Sequence, residues 1–309
     1  MRDGVMIENV LKIVLLILIG YMLVLLGLKE KISLKLSKIV FTFFLPIIIF
    51  NSLAKSKFST GYVSIMLIVV MYISLSLPLV IYVAKHMAKD DMGLVSSTVL
   101  SATFQNSAFL PIPLAYSLYG DIVPVVIYAY TIILMHYTAA DILSSMKEKR
   151  EKNIMVLSLK KISRNIIIYA GILGIIFSYF NLNKIFPQEL WSVLSVLSII
   201  GIYLSVIIVG LGLPIIKNLN MLVETPIILI ILWRHAVSPL MHFILGSILV
   251  KDELIFKQLM LEAIMPPATA NTVLAYVYGF NVETVSKSII LSTSLALIEV
   301  YVFMFFGLI

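Results

Sequence analysis

TFQNSAFLPIPLAYSLYG, Thr103 to Gly120, and EAIMPPATANTVLAYVYG, Glu262 to Gly279, decide how the rest of the chain is read. Each is an apolar stretch broken midway by prolines and small polar residues. Each resumes as a short helix-like run, passes through LAY and closes on YG. A proline inside a helix removes a backbone donor, and its ring clashes with the preceding turn. One such break would be an ordinary kink in a spanning helix. Two breaks in corresponding positions of two halves point instead to the binding site of a transporter.

Around these motifs the chain is apolar throughout. Of 309 residues, 61% are hydrophobic and 13% charged, with a mean hydropathy of +1.08. No soluble fold of this length hides so much apolar surface, so the chain belongs to the membrane class. A spanning helix needs about 20 apolar residues to cross about 30 Å of hydrocarbon. Ten segments qualify: 8–28, 39–54, 62–84, 93–119, 124–145, 165–181, 190–213, 222–249, 255–279 and 285–309, the second and sixth being short. The loops between them leave no room for a soluble domain. The run from Ile13 to Leu28 is long enough to span, and no small-residue cleavage site follows it, so it reads as a span and not a signal peptide. The absence of cysteine excludes thiol catalysis, disulfides and Cys-ligated metals.

The net charge of +7 sits in short loops, a pattern of membrane topology and not a nucleic-acid patch. Fifteen Lys and Arg residues fall in the odd-numbered loops and seven on the opposite side, while Arg234 lies within a span. Basic residues stay preferentially in the cytoplasm. The odd loops are therefore expected inside and both termini outside. The most basic linker, 147–164, is then cytoplasmic and divides the chain into 1–146 and 165–309. Each half has five spans. Five is odd, so the second half enters the membrane from the other side. The predicted fold is an all-α membrane protein of ten transmembrane helices in two inverted five-helix repeats, with broken crossing helices four and nine.

Backbone freed by a break cannot remain unpaired in hydrocarbon, so it must lie against protein or line a wet cavity. The start of each resumed half-helix carries free N–H groups and about half a positive charge, which makes it an anion site. The resumed halves are expected to begin near Pro113 and Pro267, since proline suits the first turn of a helix. Asn106, Thr269 and Asn271 lie beside the breaks and can serve a bound carboxylate or the freed backbone. The candidate substrate-binding residues are thus Asn106, Pro113, Pro266, Thr269 and Asn271.

Ionisable residues inside spans are costly, about 2.5–3.5 kcal/mol each on insertion scales. Glu262, four residues before Pro266 and so expected on the same helical face as the break, is a candidate for coupling to a proton or sodium, or for offsetting the helix ends. Asp141 is the second coupling candidate; its plain reading is an interfacial carboxylate near the Lys147 cluster. Arg234 and Glu299, both mid-span, are expected to form a structural ion pair, with direct contact of Arg234 to an anionic substrate as the sharper alternative. His235 and His242 lack further residues at metal-ligand spacing, so structural roles are expected and no metal site. His136 and Asp141 have the spacing of an acyltransferase pair, but five residues turn a helix by about 140° and separate them. No enzyme activity is expected, and no cofactor beyond a coupling ion.

LPIIIF (Leu45 to Phe50), QNSAFLPIP (Gln105 to Pro113) and MPPATANT (Met265 to Thr272) together resemble the auxin efflux carrier family, which includes prokaryotic malate and malonate permease-like proteins. The likeness covers nearly the whole chain. One departure is Pro111, where relatives usually carry glycine. The resemblance implies the bile-acid and sodium–proton antiporter fold. In that fold spans 1, 2, 6 and 7 form a scaffold, and spans 3–5 with 8–10 a moving transport domain. It also implies elevator-type export or exchange of a small carboxylate across the cell membrane by a homodimer. A cation–proton antiporter remains the alternative, although no Asp-Asp pair lies mid-span; a channel or sensor is a further one.

Overall fold

The computed structural model describes residues 2–57, 59–88, 91–148, 160, 163–213 and 224–309. Most of the 147–164 linker, Lys89, Lys217 and the first residues of span 222–249 lie outside them. Among the described residues regular structure is helical, apart from one antiparallel bridge between Gln105 and Pro267.

The helices are α1 (Arg2–Leu25), α2 (Glu30–Ile39), α3 (Leu45–Lys55), α4 (Thr60–Met87), α5 (Met92–Thr103), α6 (Pro111–Tyr119), α7 (Val123–Glu148), α8 (Ile166–Tyr179), α9 (Gln188–Leu211), α10 (Thr225–Leu232), α11 (Ser238–Leu249), α12 (Glu253–Ala263), α13 (Ala270–Tyr278) and α14 (Val282–Phe305). Among the described residues seven helical stretches are long and apolar enough to cross a membrane: Met6–Leu25, Lys31–Lys55, Thr60–Met87, Val123–Glu148, Gln188–Leu211, Thr225–Leu249 and Val282–Phe305. Met92–Thr103 and Ile166–Tyr179 are shorter apolar helices.

Two of the long stretches are joined through π-turns. Val40–Phe44 links α2 to α3, and Trp233–Val237 links α10 to α11. Each π-turn ends two residues before a proline, Pro46 or Pro239. Proline cannot donate to the preceding turn and its ring crowds it, and the wider turn accommodates both effects. The second span therefore runs unbroken from α2 into α3 and is longer than the predicted 39–54.

In lipid, small residues drive close helix packing because apolar side chains gain little from leaving it. Here α1 lies on α9, and α8 lies on α3. A Cβ on Gly20 would stand 2.1 Å from the Ile207 carbonyl oxygen, and one on Gly210 would stand 2.0 Å from that of Ile17. At Gly174 a Cβ would meet that of Leu53 at 2.8 Å. α3 also packs on α9, where Gly201 faces the Phe44 side chain. In the rest of the bundle α4 packs on α5, α7 and α11, α12 on α7 and α11, and α14 on α5, α10 and α13. The outer faces carry exposed apolar residues such as Leu15, Met22, Leu173 and Leu232, as a lipid-facing surface requires.

The close approach and the turn glycines make different demands. Gly120 ends α6 at φ 71° with open space around it. Alanine there carries only the left-handed strain of about 1–2 kcal/mol. Gly20→Ala drives a methyl into backbone and must part α1 from α9. Thermal unfolding of the purified proteins should show a larger loss of Tm for Gly20→Ala than for Gly120→Ala.

Candidate functional site

The two interrupted segments meet. α5 stops at Thr103 and α6 starts at Pro111; α12 stops at Ala263 and α13 starts at Ala270. The intervening strands run antiparallel and close two backbone hydrogen bonds, Asn106 N–H to the Pro266 carbonyl at 2.7 Å and Ala268 N–H to the Phe104 carbonyl at 3.0 Å. Gln105 and Pro267 face each other between these bonds. That is the position of an antiparallel pair whose own N–H groups are not used. The missing donor of Pro267 therefore costs nothing, which is how a proline fits between two ladder bonds.

Around this crossing a chain of buried polar groups has one consistent set of donors and acceptors. Arg234, in the π-turn between α10 and α11, is fully buried. It donates to the carbonyls of Ala263 and Met265, both at 3.1 Å, to Tyr72 Oη at 2.8 Å and to Gln105 Oε1 at 3.2 Å. The Gln105 amide donates to Tyr128 Oη. Tyr128 lies 2.8 Å from His242 Nε2, and His242 Nδ1 lies 2.8 Å from the Ser238 carbonyl. A carbonyl only accepts, so the His242 proton sits on Nδ1 and Tyr128 donates to Nε2. The Ser238 hydroxyl returns the chain to Ala263 O at 2.9 Å. Helix ends leave their last carbonyls without donors. A cation at a helix C-terminus also meets the favourable pole of its dipole. The guanidinium meets both demands at the end of α12.

The end of α5 is closed by a neutral group. Asn271, in the first turn of α13, donates from its amide to the carbonyls of Leu100 and Phe104, each at 3.2 Å. Its Oδ1 lies 2.6 Å from His136 Nε2, whose ring stacks on Phe104 at 4.6 Å. At the far end of α13, Tyr278 donates to Asp141 at 2.6 Å, and the Lys147 ammonium donates to the carbonyls of Tyr278 and Gly279.

The sequence-predicted residues fall into three groups. Asn106 and Glu262 are at the crossing with unused polar atoms: the Asn106 amide nitrogen and both Glu262 carboxyl oxygens are buried without a hydrogen bond. Asn271 and Asp141 are engaged in ties between elements. Pro113, Pro266 and Thr269 line the breaks, Thr269 half-buried and both prolines buried. No side chain caps the N-terminal end of α6 or α13 at the cap residue.

Three expectations are corrected. The half-helices resume at Pro111 and Ala270, not Pro113 and Pro267, because Pro111 already suits a first turn and Pro267 belongs to the bridge. Glu262 does not share a helical face with Pro266, since α12 ends at Ala263. Arg234 does not pair with Glu299. Glu299 lies 2.7 Å from His235 Nδ1, with Ser292 at 2.5 Å from the other ring nitrogen. Gln105, Tyr72, Tyr128 and His136 were given no site role from sequence; a Gln beside the fourth-span prolines was the one signal that could have drawn attention.

The structure is a helical bundle with stretches long and apolar enough to cross a membrane, two interrupted, cross-bonded helices and a buried polar centre. The family and relative it matches make it a transport protein and not an enzyme. The chain belongs to the membrane transport protein family, the auxin efflux carrier-like group, which it matches over residues 5–304. It is 28% identical over 298 residues, 94% of this chain and 95% of the other, to an uncharacterized transporter of Methanothermobacter thermautotrophicus.

The two asparagines should separate on mutation. Asn271→Ala loses three hydrogen bonds of roughly 0.5–1.5 kcal/mol each, so stability should fall by about 2–4 kcal/mol. Asn106→Ala removes an amide nitrogen without a partner and one bond, from Phe109 N–H to its Oδ1. Thermal unfolding should rank Asn271→Ala well below Asn106→Ala.

Proposed function

We propose that the protein is a secondary carrier of small organic carboxylates that works by elevator-type alternating access in the cell membrane. The observation that carries this reading is the Asn106 amide nitrogen, buried without a partner at the crossing, beside half-helix ends that no side chain caps. A carboxylate would meet amide donors and two positive helix ends there. The fixed charge of Arg234 adds to the same potential. Asn271, with its amide already engaged, supports the site from behind.

The ten-helix inverted repeat is supported by reciprocity of packing. Counting α2–α3 as the second span, α5–α6 as the fourth, α10–α11 as the eighth and α12–α13 as the ninth, each span of the first half has an equivalent five later. The contact of α1 with α9 joins spans 1 and 7; its equivalent joins 6 and 2, which is α8 on α3. The contact of α4 with α7 joins spans 3 and 5; its equivalent joins 8 and 10, which is α10 on α14. Spans 1, 2, 6 and 7 form the scaffold of this reading, and the others the moving domain. Between them lies an apolar crevice with about 100 Å³ of space, lined by Leu53 and Ile175 on one side and Tyr62, Met66 and Ile127 on the other. The orientation follows from loop charge, with both termini outside.

Glu262 is the coupling residue of this scheme. With Glu262 ionised, it and Arg234 cancel; with Glu262 protonated, the centre keeps a net positive charge. A proton and an anion therefore favour each other. Asp141 is tied to Tyr278 and takes no part. A cation antiporter would need its carboxylate free of a permanent cation, which the neighbouring guanidinium denies it.

Two measurements test this. Hydrogen bonds to a charged group are worth roughly 1.5–3 kcal/mol. At 1.4 kcal/mol per decade, Asn106→Ala should weaken equilibrium carboxylate binding about 10- to 100-fold. Unchanged binding in a folded variant, or binding of cations alone, rejects the anion reading. Glu262→Gln mimics the protonated state, so it should bind carboxylate well and lose the pH dependence of uptake into proteoliposomes. A stable, active Glu262→Gln protein with wild-type pH dependence rejects the coupling role.

A further inference from the structure

Arg234 is completely buried, yet each hydrogen-bond partner it has is neutral. Two are carbonyl oxygens, of Ala263 and Met265, at and just beyond the end of α12. Two are side-chain oxygens, Tyr72 Oη from α4 and Gln105 Oε1 from the crossing strand. The four stand 2.8–3.2 Å from the guanidinium nitrogens. A convergent set of oxygens, half of it unwound backbone at a half-helix C-terminus, is the donor set by which carriers hold small monovalent cations. Beside it the Glu262 carboxyl is fully buried, with neither oxygen hydrogen-bonded, and within electrostatic reach of Arg234.

We propose that the end of α12, completed by Gln105 and Tyr72, is a monovalent-cation site that this chain fills permanently with its own guanidinium. The crossing then assembles without a soluble cation. The idea deepens the carrier reading and rests on it only in treating that cation as one that would otherwise be a coupling ion. The guanidinium does what a free ion would do: it neutralises the negative end of α12 and bridges α12 to the crossing strand and α4. A bare ion is smaller than a guanidinium, so in an emptied site it would draw the oxygens inward or keep part of its water.

The test is gain of cation dependence. Wild type, Arg234→Ala and Arg234→Ser are purified in detergent without substrate. Thermal unfolding is followed in sodium chloride or low millimolar guanidinium chloride, each against choline chloride at equal ionic strength. Binding to the native state alone raises Tm with ligand concentration. Wild type should unfold at one temperature in all three. A folded variant should unfold earlier in choline and recover by several degrees, saturably, in sodium or guanidinium. A saturable, sodium-specific rise in wild type overturns the proposal. So does a folded variant indifferent to both cations. Failure to recover either variant folded in any of the salts also counts against it, because the site should accept a replacement cation. The readout contains no carboxylate, so it stands or falls separately from the Asn106 result.

Discussion

At membrane depth a backbone that leaves its helix must find new partners within the protein, and the structure is organised around that demand. Two interruptions would leave two sets of bare carbonyls and N–H groups. They satisfy each other first, through the bonds between residues 106 and 266 and between 268 and 104. What remains falls to side chains. The broken ends of α5 and α12 occupy corresponding places but are closed differently, one by the Asn271 amide and one by the Arg234 guanidinium. The centre is therefore electrically lopsided.

The lopsidedness reaches outward through hydrogen bonds of fixed direction. Arg234 only donates, and Gln105, Tyr128 and His242 in turn each accept one hydrogen bond along the chain and donate the next. Networks of this kind hold a unique arrangement when every member is satisfied, and are costly when one is not. Asn106 and Glu262 are among the groups left over, together with the Ser101 and Thr103 hydroxyls and the Trp233 indole N–H. A buried polar group without a partner calls for an explanation, and for Asn106 and Glu262 the proposed substrate and coupling proton supply one.

The breaks were legible in the sequence because proline acts locally: its ring and missing donor disturb their own turn wherever the chain goes. The glycines closing α6 and α13 were legible for the same reason, and both hold a positive φ. The start of α13 was not, because Pro267 reads equally well as a first helical residue or as an unbonded strand position, and only its partner strand decides. The partner of Arg234 was harder still. A carboxylate such as Glu299 stands out in a sequence, whereas backbone carbonyls are present at every residue and become candidates only when a helix end lies nearby. His235, next in sequence, took Glu299 instead. Gln105 lay inside a quoted motif, yet its role depends on the Arg234 π-turn, α7 and the facing strand being brought together by the fold.

The buried guanidinium has an electrical consequence for a carrier of the proposed kind. It is attached to the part that moves, so it travels with each stroke. A unit charge crossing the whole membrane field is worth about 2.3 kcal/mol per 100 mV. With Glu262 neutral, the bundle loaded with a monoanion carries no net charge, and the voltage does no work on it. In the empty bundle Glu262 has given up its proton and cancels the guanidinium, so the return carries no net charge either. The membrane potential would then do no work on either stroke, and the proton and anion gradients alone would set the direction of transport.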